Sequence, residues 1–231
     1  MTVDKERAKD IIAYRCAQEL KDGYVVNLGI GIPTRCARFF PEGVDIVLHA
    51  ELGLVGQGPA PTAEEADPMH IVDASGNPAS IIPGGVIVDS ATNFGLIRGG
   101  HVDACVLGAL EADAEGSFGN WLIPGRKMTG MGGAMDLVNG AKTVILAMIH
   151  SQGGKPKIVE KCTLPLTGCH VVDMIVTEKA VMVVTPQGLM LTEYNPELGD
   201  RETAVADIQT STGAKLILSP ELKPMPLPPL K

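Results

Sequence analysis

Short apolar runs, separated by glycines and by stretches of helical pattern, most constrain the fold of this chain. The runs have the length of buried strands, and they lie at residues 24–28, 44–50, 79–82, 104–107, 143–148, 171–176 and 180–184. Buried strands that alternate with helices are typical of a parallel sheet that is covered on both faces. We therefore predict an α/β fold with an open, mostly parallel sheet and helices on both faces.

Three segments show helical pattern. Residues 4–21 have apolar side chains on one face, with Asp4 as the N-cap and Gly23 just beyond the end. A shorter helix is predicted over residues 33–40, because proline is favoured in the first turn of a helix. A last helix is predicted over residues 201–210.

The C-terminal part of the sequence has a different organisation. From residue 171 to 192 strands follow one another directly, with Thr-Pro-Gln-Gly at 185–188 as a turn, which predicts an antiparallel hairpin at the edge of the sheet. Five prolines follow residue 219, and they favour an extended tail that neither continues a helix nor pairs as a strand. We predict one domain over residues 1–218 and a proline-rich tail over 219–231.

Charge and cysteine content disfavour several classes of function. A net charge of −8 disfavours nucleic-acid binding, and no apolar stretch approaches the roughly 20 residues that a membrane helix needs. The five cysteines include no C-x-x-C pair, and the five histidines lack metal-ligand spacing. We expect a cytoplasmic protein with reduced thiols, no metal site, no membrane association and no nucleic-acid partner.

The 27 glycines stand at the ends of the apolar runs rather than in flexible linkers. The first turn, Gly29-Ile30-Gly31, lies between a strand and a helix, where backbone N–H groups can receive an anion. It is not a dinucleotide fingerprint, because Thr34 stands where the third glycine would be. A purely steric role in a tight turn remains the alternative.

Glu51 ends an apolar run and is followed by three spaced glycines. Ligands of open α/β sheets bind at the carboxyl ends of the strands, which is where this residue falls. A carboxylate in apolar surroundings loses the hydration that weakens it as a nucleophile. The alternative is a glutamate that points into water at the end of a strand.

The segment 120–137 combines Asn120 with a loop of glycines and methionines that is predicted to open a helix at Ala134. Consecutive N–H groups in such a loop can bind an anion or an oxyanion. The alternative is a turn whose methionines fill irregular space in the core.

Taken together with Ile97-Arg98-Gly99-Gly100-His101-Val102-Asp103 and Cys162-Thr163-Leu164-Pro165-Leu166-Thr167-Gly168, these segments make the chain recognisable over residues 5–220. It resembles the beta subunit of the two-subunit class I CoA-transferases of the 3-oxoacid, butyrate–acetoacetate and acetate type. The resemblance implies the open α/β fold that this family shares with certain sugar-phosphate isomerases.

The resemblance also implies the chemistry. Glu51 matches the nucleophilic glutamate of a ping-pong reaction that passes through a mixed anhydride and a glutamyl-CoA thioester. Gly132 and Gly133 match the loop that supplies an oxyanion donor, and the CoA-binding residues are expected to be Gly29, Ile30, Gly31 and Asn120. A CoA thioester would be a substrate rather than a permanently bound cofactor. The expected partner is an alpha subunit, in a heterotetramer with two of each, and the small-molecule substrates are short-chain acids.

One departure from the family pattern concerns the substrate. The family motif Ser-Glu-Asn-Gly is Ala50-Glu51-Leu52-Gly53 here, so both polar neighbours of the glutamate are replaced by apolar side chains. We expect a substrate different from the usual acetoacetate–succinate pair, for example acetate or butyrate. Two other functions stay open: a CoA-binding regulator without chemistry, and an isomerase-like enzyme on the same fold.

Overall fold

The computed structural model describes residues 4–73, 76–125 and 130–229. The first residues of the predicted domain, the last two of the predicted tail and positions 126–129 of the segment 120–137 lie outside the described residues.

Four α-helices and fifteen strands form within the described part of the chain. The helices are α1 (Lys5–Ala17), α2 (Ser90–Arg98), α3 (Ala134–Gly140) and α4 (Arg201–Ser211), with 3-10 helices at Pro33–Arg38 and Pro196–Leu198. The strands are β1 (Val25–Leu28), β2 (Val47–Ala50), β3 (Leu54–Gln57), β4 (Ile81–Ile87), β5 (Ala104–Leu107), β6 (Glu111–Asp113), β7 (Phe118–Gly119), β8 (Val144–Ala147), β9 (Ser151–Gln152), β10 (Lys155–Pro156), β11 (Ile158–Val159), β12 (Met174–Val176), β13 (Ala180–Thr185), β14 (Gly188–Tyr194) and β15 (Ile217–Pro224).

Ten of these strands form one sheet, in the order β15-β14-β13-β12-β8-β5-β1-β2-β3-β4. The five central strands, from β12 to β2, are parallel to one another. The hairpin of β13 and β14 is antiparallel, with Thr185 paired to Gly188 at its turn. The mostly parallel sheet and its antiparallel C-terminal part confirm the predicted fold class.

A second antiparallel edge, which we did not predict, is formed by β2, β3 and β4. The glycines of β3 and β4 interrupt the apolar pattern there, and the pairing has register shifts in both ladders. Strands broken by glycines and bulges do not show the alternation by which strands are recognised in a sequence.

Helices cover both faces of the sheet, as predicted. One buried cluster contains Ile97 of α2, Leu137 of α3 and Ile208 of α4. The other contains Ile11 and Ile12 of α1 together with side chains from the opposite face of the central strands.

Helix α1 begins as predicted, because the side chain of Asp4 accepts hydrogen bonds from the backbone N–H groups of Glu6 and Arg7. The helix ends at Ala17, four residues before the predicted end. The predicted helix over 33–40 is a 3-10 helix that ends at Arg38.

The prediction that the residues after 219 do not pair as a strand is wrong. Strand β15 runs parallel to β14, with Met190 opposite Ile217 and Tyr194 opposite Pro224. It is the last strand of the sheet, and prolines are tolerated at a sheet edge because an outward N–H needs no ladder partner. Beyond the strand, the side chain of Met225 is buried against the α1 face.

Among the described residues, no helix has both the length and the apolar character required to cross a bilayer.

Candidate active site

Glu51 lies immediately after β2, at the carboxyl end of a strand in the parallel part of the sheet. The turn that follows requires glycine at position 53, where φ is +109° and a Cβ atom would stand 2.3 Å from the carbonyl oxygen of Val88. The N–H of Gly53 donates to the carbonyl oxygen of Ala50 at 3.1 Å. This closed turn holds the partly buried Glu51 at the carboxyl end of β2.

Asn27, on the neighbouring strand β1, binds the carboxylate of Glu51. Its side-chain nitrogen Nδ2 donates to Oε2 of Glu51 at 3.1 Å and to the carbonyl oxygen of His49 at 3.0 Å. The side chain of Asn27 is fully buried. Sequence analysis did not select this residue, although an asparagine inside an apolar strand was a detectable signal.

His49 is the strand partner of Asn27 in the parallel ladder of β1 and β2. Its ring is buried, and its Nδ1 lies 3.2 Å from Nδ2 of Asn27. Because an amide nitrogen only donates, this contact requires an acceptor at Nδ1, which assigns the proton of the neutral ring to Nε2, a buried atom that has no hydrogen-bond partner among the described residues. Burial lowers the pKa of His49 below its ordinary value, although the charge of Glu51 acts in the opposite direction.

Gly133 packs directly against Glu51 from the other side. A Cβ atom on Gly133 would lie 2.9 Å from Cγ and 3.0 Å from Oε1 of Glu51. Helix α3 begins at Ala134, as predicted, and Gly133 is its N-cap. Within the described ranges, no protein acceptor takes the backbone N–H of Gly132 or Gly133.

The turn at Gly29-Ile30-Gly31 approaches the same region. The N–H of Gly29 donates to the carbonyl oxygen of Val106 at 2.8 Å, and a Cβ on Gly29 would crowd that oxygen at 3.2 Å. Gly31 has a φ of +96°, which favours glycine. The side chain of Ile30 between them is 63% exposed.

A cavity of about 670 Å³ joins most of the predicted site residues. Its lining includes Gly29, Ile30, Glu51, Asn120, Gly132 and Gly133. Gly31 is not among the described residues that line this cavity, and its role is to turn the chain.

Asn120 is held at this cavity by Thr167. The backbone N–H of Asn120 donates to Oγ1 of Thr167 at 3.0 Å, and that hydroxyl donates to Oδ1 of Asn120 at 2.7 Å. The side-chain amide of Asn120 therefore has a fixed orientation.

A smaller cavity of about 360 Å³ is also lined by Glu51. The two cavities share Leu28, Ile30 and Glu51, and the smaller one adds His49, Gln57 and Arg38. Glu51 therefore lines both cavities. Arg38, which sequence analysis did not select, brings a positive charge to the smaller one.

This arrangement can perform nucleophilic chemistry at a carboxylate. Glu51 is oriented by an amide donor and flanked by the apolar residues Ala50 and Leu52. Searched over the described ranges, the chain has no group of three or more His, Cys, Asp or Glu side chains placed to hold a metal ion.

Comparison with known proteins places this geometry in a family. Residues 9–198 match the family model described as Coenzyme A transferase. The acetate CoA-transferase subunit beta of Escherichia coli (strain K12) is 51% identical over 187 residues, which are 80% of this chain and 85% of that protein.

Longer proteins match as well. The mitochondrial succinyl-CoA:3-ketoacid coenzyme A transferase 2 of Homo sapiens is 43% identical over 96% of this chain, which spans only 42% of that protein. An acyl-CoA transferase from Escherichia coli O157:H7, solved as a thioester complex with CoA, has a TM-score of 0.69 at 24% identity. That match covers 98% of this chain and 44% of the solved one, so the chain spans less than half of both longer proteins.

Proposed function

Because this chain belongs to the coenzyme A transferase family, we propose that it is the beta subunit of an enzyme that moves CoA between an acyl-CoA and a short-chain carboxylic acid, with Glu51 as the nucleophile. The observation that carries the proposal is the position of the Glu51 carboxylate. Glu51 lines two cavities, accepts a hydrogen bond from Asn27 and lies against Gly133.

The reaction proceeds in two halves. The Glu51 carboxylate attacks the carbonyl carbon of the acyl-CoA thioester. The carbon–sulfur bond then breaks, CoA leaves as a thiolate, and the acyl group stays on Glu51 as a mixed anhydride. The thiolate then attacks the glutamyl carbonyl and releases the first acid as a carboxylate, which leaves CoA on Glu51 as a thioester. An incoming carboxylate repeats these steps in reverse and takes the CoA away.

Each attack produces a tetrahedral intermediate with a negatively charged oxygen, which is stabilised by donors already in place. The N–H groups of Gly132 and Gly133 are the donors that we assign to this role, because their loop contacts the carboxylate and no described residue occupies them. Asn27 orients the nucleophile through its hydrogen bond to Oε2. A reactive group held in the correct geometry loses less entropy on reaching the transition state.

The larger cavity is the proposed CoA site. Gly29, Ile30 and Asn120 would contact the bound CoA, and Gly31 shapes the turn. Backbone N–H groups explain how a chain with a net charge of −8 binds an anionic substrate. The Escherichia coli relative is named a subunit, and we propose an alpha subunit as the partner here, two of each chain forming the enzyme.

The acyl group is the least constrained part of the proposal. Ala50 and Leu52 give Glu51 apolar neighbours, which supports a small acid such as acetate or butyrate. Turnover measured with acetate, butyrate, succinate and acetoacetate tests this specificity. A clear preference for the last two acids would overturn it.

The decisive experiment is intact-mass analysis of the purified enzyme complex incubated with acyl-CoA. We expect one CoA adduct on this chain, located at Glu51 and lost on borohydride reduction. Glu51→Ala should give no adduct, whereas Glu64→Ala, at an exposed glutamate nearby in sequence, should react normally. CoA binding without an adduct in the unaltered protein would instead favour a regulator, and full activity of this chain alone would exclude the required partner.

A further inference from the structure

We propose that His49 is a positioning residue of this active site, which as the neutral Nε2–H tautomer holds the side-chain amide of Asn27 in the orientation that donates to Glu51. This inference rests on the proposed function, since it concerns the same nucleophile. It assigns a role to a buried histidine that the mechanism above does not use.

The proposal rests on three contacts that one atom makes, Nδ2 of Asn27. Nδ2 of Asn27 is 3.2 Å from Nδ1 of His49, 3.0 Å from the carbonyl oxygen of His49 and 3.1 Å from Oε2 of Glu51. An amide nitrogen has two hydrogens, so three acceptors surround two donors. Of the three acceptors, one is a backbone carbonyl oxygen and one belongs to the nucleophile. The third, Nδ1 of the imidazole, is the remaining side-chain acceptor that holds the amide.

The amide has a competing orientation that would not serve Glu51. Rotation by half a turn would place Oδ1 of Asn27 where Nδ2 now stands and set a carbonyl oxygen against the carboxylate. Oδ1 is buried and has no hydrogen-bond partner among the described residues. A neutral His49 opposes the rotation, because its Nδ1 lone pair accepts from an N–H and repels an oxygen.

Protonation of His49 would reverse this preference. An imidazolium carries a hydrogen on Nδ1, which can be satisfied by Oδ1 of the rotated amide but not by the N–H₂ group. The charged group that acts on the ring is Glu51, whose negative charge favours the protonated form, and among the described residues Arg38 and Asp73 are the other charged groups that line the cavity beside His49. Asn93, on α2, also faces the ring but carries no charge. Burial keeps the ring neutral at pH 7, because it lowers the pKa of His49.

Two substitutions separate positioning from packing. In His49→Gln the side-chain oxygen can accept from Asn27, so we expect kcat of the purified complex to stay within about threefold of the unaltered enzyme. In His49→Met the side chain fills the space but accepts only weakly, and we expect a loss in kcat of about tenfold or more. KM for acyl-CoA should change little in both. His101→Gln, at an exposed histidine, is the matched control.

A double-substitution cycle shows whether His49 acts through Asn27. In an Asn27→Ala background, His49→Met should lower kcat no further. Because burial lowers the pKa of His49, the unaltered enzyme should lose kcat through protonation of His49 only at pH values below the ordinary histidine range, and His49→Gln should extend activity to lower pH. Equal losses of kcat in His49→Gln and His49→Met, or additive effects in the cycle, would overturn the proposal.

The outcome can be separated from failure of the transferase proposal. If no CoA adduct forms on Glu51 in the unaltered protein, the proposed function fails, and ¹⁵N NMR of the histidine rings still tests His49. We expect the His49 ring, identified by the signals that are lost in His49→Gln, to have an unprotonated Nδ1 and a protonated Nε2 at pH 7, with an Nδ1 signal that shifts in Asn27→Ala. A protonated Nδ1 in the unaltered protein would contradict the assignment.

Discussion

Nδ2 of Asn27 lies 3.1 Å from Oε2 of Glu51, so that the carboxylate is held by a donor from the next parallel strand. Replacing the amide with an acid, Asn27→Asp, would remove the donor and place a second carboxylate at hydrogen-bonding distance. Because like charges repel at this separation, we expect kcat at pH 7 to fall by at least about tenfold. Steady-state kinetics of the complex measures this, and circular dichroism checks that the fold is intact. Asn139→Asp, at an exposed asparagine of α3, is the control; equal activity of the two variants would remove Asn27 from the site.

Gly133 leaves the space that Glu51 occupies. In Gly133→Ala the new methyl group would stand 2.9 Å from Cγ of Glu51, which is closer than such carbon atoms approach, so the carboxylate must move. The backbone angle φ of −80° is acceptable for alanine, so the fold should persist while kcat falls about tenfold or more.

A matched glycine-to-alanine change is available in α2. Gly95 lies in the helix interior, and apart from its chain neighbours and the helix's own backbone no described atom lies within 4 Å of the position that a Cβ would take there, so Gly95→Ala should keep full activity. It should also raise the free energy of unfolding by about 0.5–1 kcal/mol, because glycine costs backbone entropy in a helix. Urea denaturation measures both variants. Loss of activity in Gly95→Ala would show that the effect at Gly133 is not specific to contact with Glu51.

The buried, neutral ring of His150 should make the protein less stable in acid. Its buried ring lies between Oγ1 of Thr177 at 3.0 Å and Oγ1 of Thr212 at 2.9 Å, and burial lowers its pKa to about 4. The unfolded chain, with an ordinary histidine pKa near 6.5, therefore binds a proton before the folded protein does. The stabilisation that comes from keeping His150 neutral and buried is complete above about pH 6.5 and is lost as the pH falls towards 4. The free energy of unfolding should fall by about 2 kcal/mol between pH 7 and pH 5.

The measurement is the free energy of unfolding at pH 7 and pH 5 for the unaltered chain and for His150→Gln. The variant should lack this part of the pH dependence, whereas His70→Gln, at an exposed histidine, should retain it. Identical pH slopes in the unaltered chain and His150→Gln would mean that His150 is not buried neutral.

A buried ion pair joins α1 to the C-terminal part of the sheet. Nε of Arg15 donates to Oε2 of Glu193 at 2.6 Å, and both side chains are buried. Arg15→Met should lower the free energy of unfolding by about 3 kcal/mol, because the buried Glu193 carboxylate keeps, among the described residues, only the ion pair with Lys223, whose Nζ lies 3.6 Å from Oε1. The double change Arg15→Met with Glu193→Leu should recover most of that loss.

Thermal and urea unfolding of the single and double variants test this pair. Lys9→Met, which removes a surface pair with Glu6, should change the free energy of unfolding by no more than about 0.5 kcal/mol. If Arg15→Met were as mild as Lys9→Met, the pair would contribute little to the attachment of α1.

The positions of Glu51 and of the loop against it were predictable because each has a local signature. Glu51 ends an apolar run before spaced glycines, and Gly133 precedes a helix that begins where the pattern indicates. A single polar residue in a strand, such as His49 or Asn27, can be noticed in the sequence, but it looks the same whether it faces the core or a site. Their role depends on the pairing of β1 with β2, which sets them side by side.

The C-terminal prolines show the opposite error. Their chemistry forbids a central strand, and the sequence alone does not tell that β15 lies at the end of the sheet, where that restriction does not apply. The antiparallel edge of β3 and β4 was missed for a related reason, because its glycines hide the alternation while long-range pairing supplies its order.

The sequence by itself determined the layered α/β fold and the family resemblance and made Glu51 the candidate carboxylate, because these follow from local periodicity and short motifs. Only the tertiary structure decided which donors reach that carboxylate and that Glu51 lines two cavities. Contacts between strands distant in sequence depend on register, and a shift of one residue would turn Asn27 to the opposite face of the sheet.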